Sequence, residues 1–126
     1  MATDEGRISF RQVLKRLTAT AAELEAQELQ RESVESGSTP ARQCQRGQYV
    51  SISGRLRTVV YTPRTHLPML EAELYDGTGT VTLVFLGRRR IVGIEPGRQV
   101  TARGRLALRD DRKVIYNPYY ELEAPR

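Results

Sequence analysis

The sequence predicts a mainly β fold, five short strands closing into one small Greek-key barrel behind an N-terminal helical extension. Three observations predict it. From Tyr49 onward apolar and polar residues alternate, the period of a half-buried strand, whereas earlier apolar residues recur at helical spacing. Turn-forming residues divide the alternating part into short runs: Pro63, Asp76-Gly-Thr-Gly79, Pro96-Gly97 and Asp110-Asp111. Two of those runs also match in a register that puts their apolar side chains on one face.

The 126 residues suffice for one such domain and an appendage, divided here into 1–44, helices and linker, and 45–126, the barrel. Hydrophobic residues make up 39%, below the globular norm, so the core must be compact. No run of about 18 apolar residues offers a membrane span. The first residues include acids where a signal peptide needs a basic and then an apolar stretch, so a cytoplasmic protein is expected. The single cysteine, Cys44, cannot form an internal disulfide, which fits a reducing compartment.

Ser9-Phe-Arg-Gln12 has the form of a capping box, with Ile8 and Val13 at the hydrophobic-staple positions. Phe10, Val13, Leu14 and Leu17 continue as a helical stripe. Thr20-Ala-Ala-Glu23 is a second box, and Gly37 a C-terminal stop. Two helices are therefore expected, 9–18 and 20–35, the first packing on its own domain or on a partner protein. Residues 36–47 read as a linker, and Cys44 within it as semi-buried and inert.

Strand 1 sets Val50, Ile52 and Leu56 on one face and Arg55 and Arg57 on the other, with Gly54 marking a bend or bulge. Strand 2 turns Leu70, Ala72 and Leu74 inward, and strand 3 Val81, Leu83 and Phe85. With Tyr75 opposite Thr80, the pairs Leu74–Val81, Ala72–Leu83 and Leu70–Phe85 are all apolar. Met69, Glu71, Glu73, Thr82, Val84 and Leu86 then face outward. Pairing residue 60 with 68 would set Arg57 opposite Glu71 and Arg55 opposite Glu73.

The segment from Arg88 to Gly97 is expected to form a short helical turn and then a type II turn centred on Pro96-Gly97. Strand 4 directs Val100, Ala102, Leu106 and Leu108 inward and Arg103 and Arg105 outward. Strand 5 carries Ile115 inward, and Pro118, which lacks a backbone donor, marks a bulge or an edge.

A bent first strand, a 2–3 hairpin, a connector and a 4–5 hairpin follow one another as in an OB-fold, which binds oligomers on its strand 2–3 face and its 1–2 and 4–5 loops. The segments "MLEAELYDGTGTVTLVFLG", "EPGRQVTARGRL" and "NPYYELE" resemble the OB-type wedge domain of the RecG helicase family. "LGRRRIVGIEPGR" with "YNPYYEL" is similar to small stand-alone OB-fold proteins of actinobacteria. The resemblance spans about residues 48–123 and implies an OB barrel and nucleic-acid binding. The helicase motor's Gly-rich Lys-Ser/Thr phosphate loop has no counterpart in the sequence.

Charge is unevenly placed. Residues 1–44 carry six basic and seven acidic side chains, and 45–126 fourteen and eight, so the basic character belongs to the barrel and suits a polyanion. Eighteen of the twenty basic residues are Arg, a bias that a GC-rich genome also produces. Position therefore has to carry the functional reading.

His66 is the sole histidine and Cys44 the sole thiol, with no acids clustered near either in sequence, so no enzyme, cofactor or metal is expected. The strand 2–3 face offers two repelling carboxylates and one aromatic, Tyr75. Nucleic-acid contacts are expected instead at the rim: Arg88, Arg89 and Arg90 after strand 3, Arg64 and His66 in the 1–2 loop, and Arg112 and Lys113 at the 4–5 tip. Tyr61, Tyr75, Tyr116 and Tyr119 are the candidate stacking rings. The three consecutive arginines read as a phosphate-docking patch, against the alternative of a solvated strand end. The expected function is a non-catalytic module binding single-stranded or junction-like DNA or RNA mainly through its backbone. A protein-docking module is the alternative.

Overall fold

The protein is described by a computed structural model covering residues 10–64 and 66–124. Its elements are α1 (Phe10–Glu35), a 3-10 turn (Ala41–Gln43), β1 (Tyr49–Thr62), β2 (Met69–Tyr75), β3 (Thr80–Leu86), β4 (Gln99–Arg109), β5 (Arg112–Tyr116) and β6 (Tyr119–Leu122). The strands form one sheet in the order β1-β2-β3-β5-β4-β6, and β1 also pairs with β4, so the sheet closes into a ring.

The β2–β3 hairpin has the expected register, with Tyr75 opposite Thr80, Leu74 opposite Val81, Ala72 opposite Leu83 and Leu70 opposite Phe85. All six apolar residues are buried in the core. A one-residue slip would put them all on the outer face, and that penalty is what selects the register.

The β1–β2 register differs from the expected one. Arg55 lies opposite Tyr75 and Leu56 opposite Leu74, but Val59 is opposite Ala72, so one extra residue sits in β1 at Arg57–Thr58. This bulge reverses the alternation: Leu56 is buried, then Val59 and Tyr61 pack against the core while Val60 is exposed. The run Val59-Val60-Tyr61 is apolar throughout, so alternation cannot specify its register. The pairing is also shifted by two residues ahead of the bulge, where Arg55 faces Tyr75, and beyond it Val60 faces Glu71, so Glu71 and Glu73 do not face Arg57 and Arg55. Arg55 pairs with Glu25 of α1 at 3.5 Å, and Arg57 lies over the Tyr75 ring at 3.7 Å. Neither arginine is buried in the ring.

Gly54 stands where β1 passes from one partner to the other, since Arg55 pairs with both Gln99 and Tyr75. A Cβ at Gly54 would collide with the Tyr75 carbonyl, so the corner needs a residue without a side chain.

The expected pair of helices is one continuous helix. No Gly or Pro interrupts 10–35 and the Ala-rich middle favours helix, so the second capping box has no break to cap. Gly37 does stop it, at φ 74, with its N–H donating to Val34 O and the Ser38 N–H to Ser33 O, both at 3.0 Å. The Ser9 cap, the Ile8–Val13 staple and the Phe10, Val13, Leu14 and Leu17 side chains lie outside what is described.

The C-terminal half of α1 packs on the ring. Leu29 is its buried apolar anchor, worth about 1.5–3 kcal/mol. Gln30 donates to the Gly77 carbonyl at 2.9 Å, and Gln99 of β4 to Glu32 at 2.6 Å. A chain of hydroxyls, Ser36–Ser38–Ser53–Thr101, with contacts of 3.0, 2.7 and 2.7 Å, ties the helix end to β1 and β4. The segment read as a linker is packed as well. Thr39 N–H donates to Ser51 O at 2.9 Å, and Ala41 and Cys44 are part of the core. Cys44 is fully buried rather than semi-buried, and burial pushes its thiol up, Lys113 drawing it back and Asp76 adding to the rise.

The β3–β4 connector is not helical. It makes two tight turns, Ile91–Ile94 with Gly93 at φ 87 and Glu95–Arg98 with Gly97 at φ 89, closed by N–H···O bonds of 3.1 and 3.2 Å. Gly93 and Pro96 disfavour a helix, and Pro96-Gly97 occupies the turn centre as expected. Ile91 and Ile94 are buried in the core.

The last expected strand is split at Asn117-Pro118. β5 runs parallel to β3 and β6 antiparallel to β4. Asn117, at φ 48, makes the break and donates its N–H to Val84 O at 2.7 Å. Ile115 is inside as expected, but Leu108 is 47% exposed. It sits beyond Val114, where β5 first pairs with β3, on a hairpin arm that projects past the ring. Among the described residues no helix is long and apolar enough to cross a membrane.

Candidate nucleic-acid interface

The turn 76–79 resembles a phosphate cradle in sequence, yet its polar groups are already engaged. Asp76 is fully buried, and its Oδ1 accepts from Thr78 N–H at 2.9 Å, Thr78 Oγ1 at 2.7 Å and Gly79 N–H at 3.1 Å. Its Oδ2 accepts from Ala41 N–H at 2.7 Å, and Thr78 Oγ1 accepts from Arg42 N–H at 3.1 Å. A buried carboxylate is tolerable when its lone pairs are satisfied in this way. The turn is a clasp joining the hairpin to the 3-10 turn. An Asp opening a Gly-rich turn was the signal for it, but its distant partner is invisible in sequence.

The outward side of β2 and β3 is partly closed. Arg109 of β4 reaches Glu71 of β2 at 2.8 Å although β5 and β3 lie between them in the sheet, so the β4–β5 arm leans over this face. The hydrogen bond from Arg109 to Glu71 is the main cause holding the guanidinium more firmly protonated. Val84, expected to face outward, lies opposite Glu71 on β2 and Tyr116 on β5 and is fully buried. A groove of about 450 Å3 remains near the arm's tip, lined by Arg42, Glu73, Thr82, Arg112 and Lys113 among others. Lys113 turns inward there and donates to the Ala41 and Arg42 carbonyls at 2.7 and 3.1 Å.

The expected site residues therefore separate into groups. Arg88, Arg89 and Arg90 are exposed, and none makes an ion pair among the described residues. The Gly87 N–H donates to Pro68 O at 2.7 Å, which brings this segment against the 1–2 loop with exposed Arg64 and His66. Arg89 lies over the ring of half-buried Tyr61 at 5.8 Å. The Leu86 N–H donates to Asn117 Oδ1 at 2.9 Å, so Tyr116 and Tyr119, both exposed, flank the same end. Arg112 and Lys113 are elsewhere, at the start of β5, about 10–13 Å from Tyr116 by strand rise. Tyr75 is at the far end of β2 under Arg57. Tyr49, Arg103 and Arg105, not among the expected site residues, also stand exposed on the sheet.

Among the described residues no group of three or more His, Cys, Asp or Glu is placed to hold a metal ion. No family model matches the chain, and no curated protein matches it. Among solved structures it is similar to RecG in the structure of RecG bound to a three-way DNA junction, with a TM-score of 0.54 and 19% identity. The match covers 62% of this chain and 11% of that one, so this chain corresponds to a small part of RecG's length. The likeness is one of fold: the chain has a RecG-like fold.

Proposed function

We propose that the ring is an OB-fold barrel and that the chain is a non-catalytic module binding single-stranded or junction-like nucleic acid mainly through phosphate contacts. The strand order supports the first part, since five strands close as β1-β2-β3-β5-β4-β1. The observation that carries the second is the end of the ring where Arg88, Arg89, Arg90, Arg64 and His66 converge, exposed and without acidic partners among the described residues. Arginine suits bidentate phosphate contact, and such contacts read backbone rather than sequence. RecG's complex with a DNA junction adds weak support through fold alone.

The test is a titration of labelled single-stranded DNA and RNA at two salt concentrations. Binding should weaken steeply with salt. Absence of binding, or salt-independent association with a protein partner instead, would return the chain to the protein-docking alternative.

A further inference from the structure

The outward face of β1, β4 and β6 has the features that the β2–β3 face lacks. Tyr49 lies opposite Arg105, and Arg103 lies between Ser51 and Tyr119 across the three strands. Tyr49 and Tyr119 are 67% and 65% exposed, more than the intermediate burial usual for Tyr. Arg103 and Arg105 are exposed too, and neither makes an ion pair among the described residues. Arg105 donates from one Nη to the Gly47 carbonyl at 2.7 Å, which holds the guanidinium in place and leaves its other N–H groups free to donate. Beside it, a groove of about 390 Å3 adds Arg46. The acid on the neighbouring row is Glu121, opposite Thr101.

We infer that this face is where the bases of a single nucleic-acid strand stack, on Tyr49 and Tyr119, with Arg103 and Arg105 holding the phosphates between them. The inference rests on the nucleic-acid reading above and names the path the strand takes. That path is continuous with the arginine end, because Asn117, bonded to the end of β3, is two residues from Tyr119. It avoids Glu71 and Glu73, which would repel phosphate. The two rings are about 12 Å apart from strand spacing and rise, so they serve two separate bases. Stacking on exposed rings tolerates any base, and a flanking cationic row tracks the backbone.

Fluorescence anisotropy with a labelled oligothymidylate tests this in the full chain. Tyr49→Ala and Tyr119→Ala should each weaken binding at least about fivefold with the salt slope unchanged. Tyr49→Phe and Tyr119→Phe, which keep the ring, should bind like the parent. Arg103→Ala with Arg105→Ala should flatten the log–log salt slope by about 1.4. The chain has no Trp, so tyrosine emission should also be quenched on binding, and less so in Tyr49→Ala. Parental affinity in both alanine variants, with loss of binding on removing Arg88–Arg90, would overturn this face and leave the phosphate reading standing. No binding by the parent chain would overturn both.

Discussion

Two of the charged turns of the ring use their charge in opposite ways. At 76–79 the carboxylate of Asp76 is fully buried and accepts four hydrogen bonds, one of them from a residue 35 positions away. At 87–90 three guanidinium groups stand in solvent, with a single ring contact from Arg89 to Tyr61. The first turn has spent its polar groups on the fold. The second contributes little to it, as either the proposed docking surface or a solvated strand end would. A charge satisfied internally predicts loss of stability when removed, whereas an unpartnered charge predicts loss of binding.

The sharpest way to break the comparison is Asp76→Ala. It leaves the buried Ala41 N–H without an acceptor and removes three turn bonds, so unfolding free energy should fall by about 2–4 kcal/mol in urea titration. Retained stability would mean that the clasp is dispensable. Next comes Gly77→Ala. Gly77 has φ 91 and its Cβ would strike the Ala26 carbonyl, so the loss should be about 1–3 kcal/mol, with the helix displaced from the turn. Amide exchange of α1 should quicken in that variant, and unchanged exchange would show that the helix does not depend on this contact.

Glu71→Gln tests an intermediate case. The Arg109–Glu71 pair is about a third exposed at Arg109 and a quarter at Glu71, so screening limits its worth to about 1 kcal/mol at most. A larger loss would indicate that the arm's position over β3 depends on the pair. The smallest stability effect belongs to Arg88→Ala, Arg89→Ala and Arg90→Ala combined, within about 0.5 kcal/mol of the parent. The same triple variant should flatten the log–log salt slope for single-strand binding by about 1.4–2.1, if two or three phosphates are met there. An unchanged slope with parental circular dichroism would make the arginines a soluble strand end.

The legible part of the molecule was the part in which alternation is unambiguous. Leu70, Ala72, Leu74, Val81, Leu83 and Phe85 can share a face in one register, and the structure has that register. Gly37 and Pro96-Gly97 were legible because their local chemistry permits few other conformations. In the candidate site, the exposure of Arg88–Arg90 was legible from their place after an apolar strand. Tyr49, Arg103 and Arg105 were harder to find, because an outward ring or arginine in one strand acquires meaning from what lies across from it.

By itself the sequence determined the mainly β character of residues 49–122, the hairpin register and the helix stop, since each follows from interactions within a few residues or from a strict period of two. Tertiary structure decided where the charges found partners. The β1–β2 pairing settled two residues from the expected register at Arg55, ahead of the bulge, and Arg55 reaches Glu25 while Arg57 lies over Tyr75. The Glu71 carboxylate was then left for Arg109 on a strand 38 residues away. Long side chains on a solvated surface have many partners within reach and small energies separating them, so the closure of the ring, rather than local pattern, selects among them.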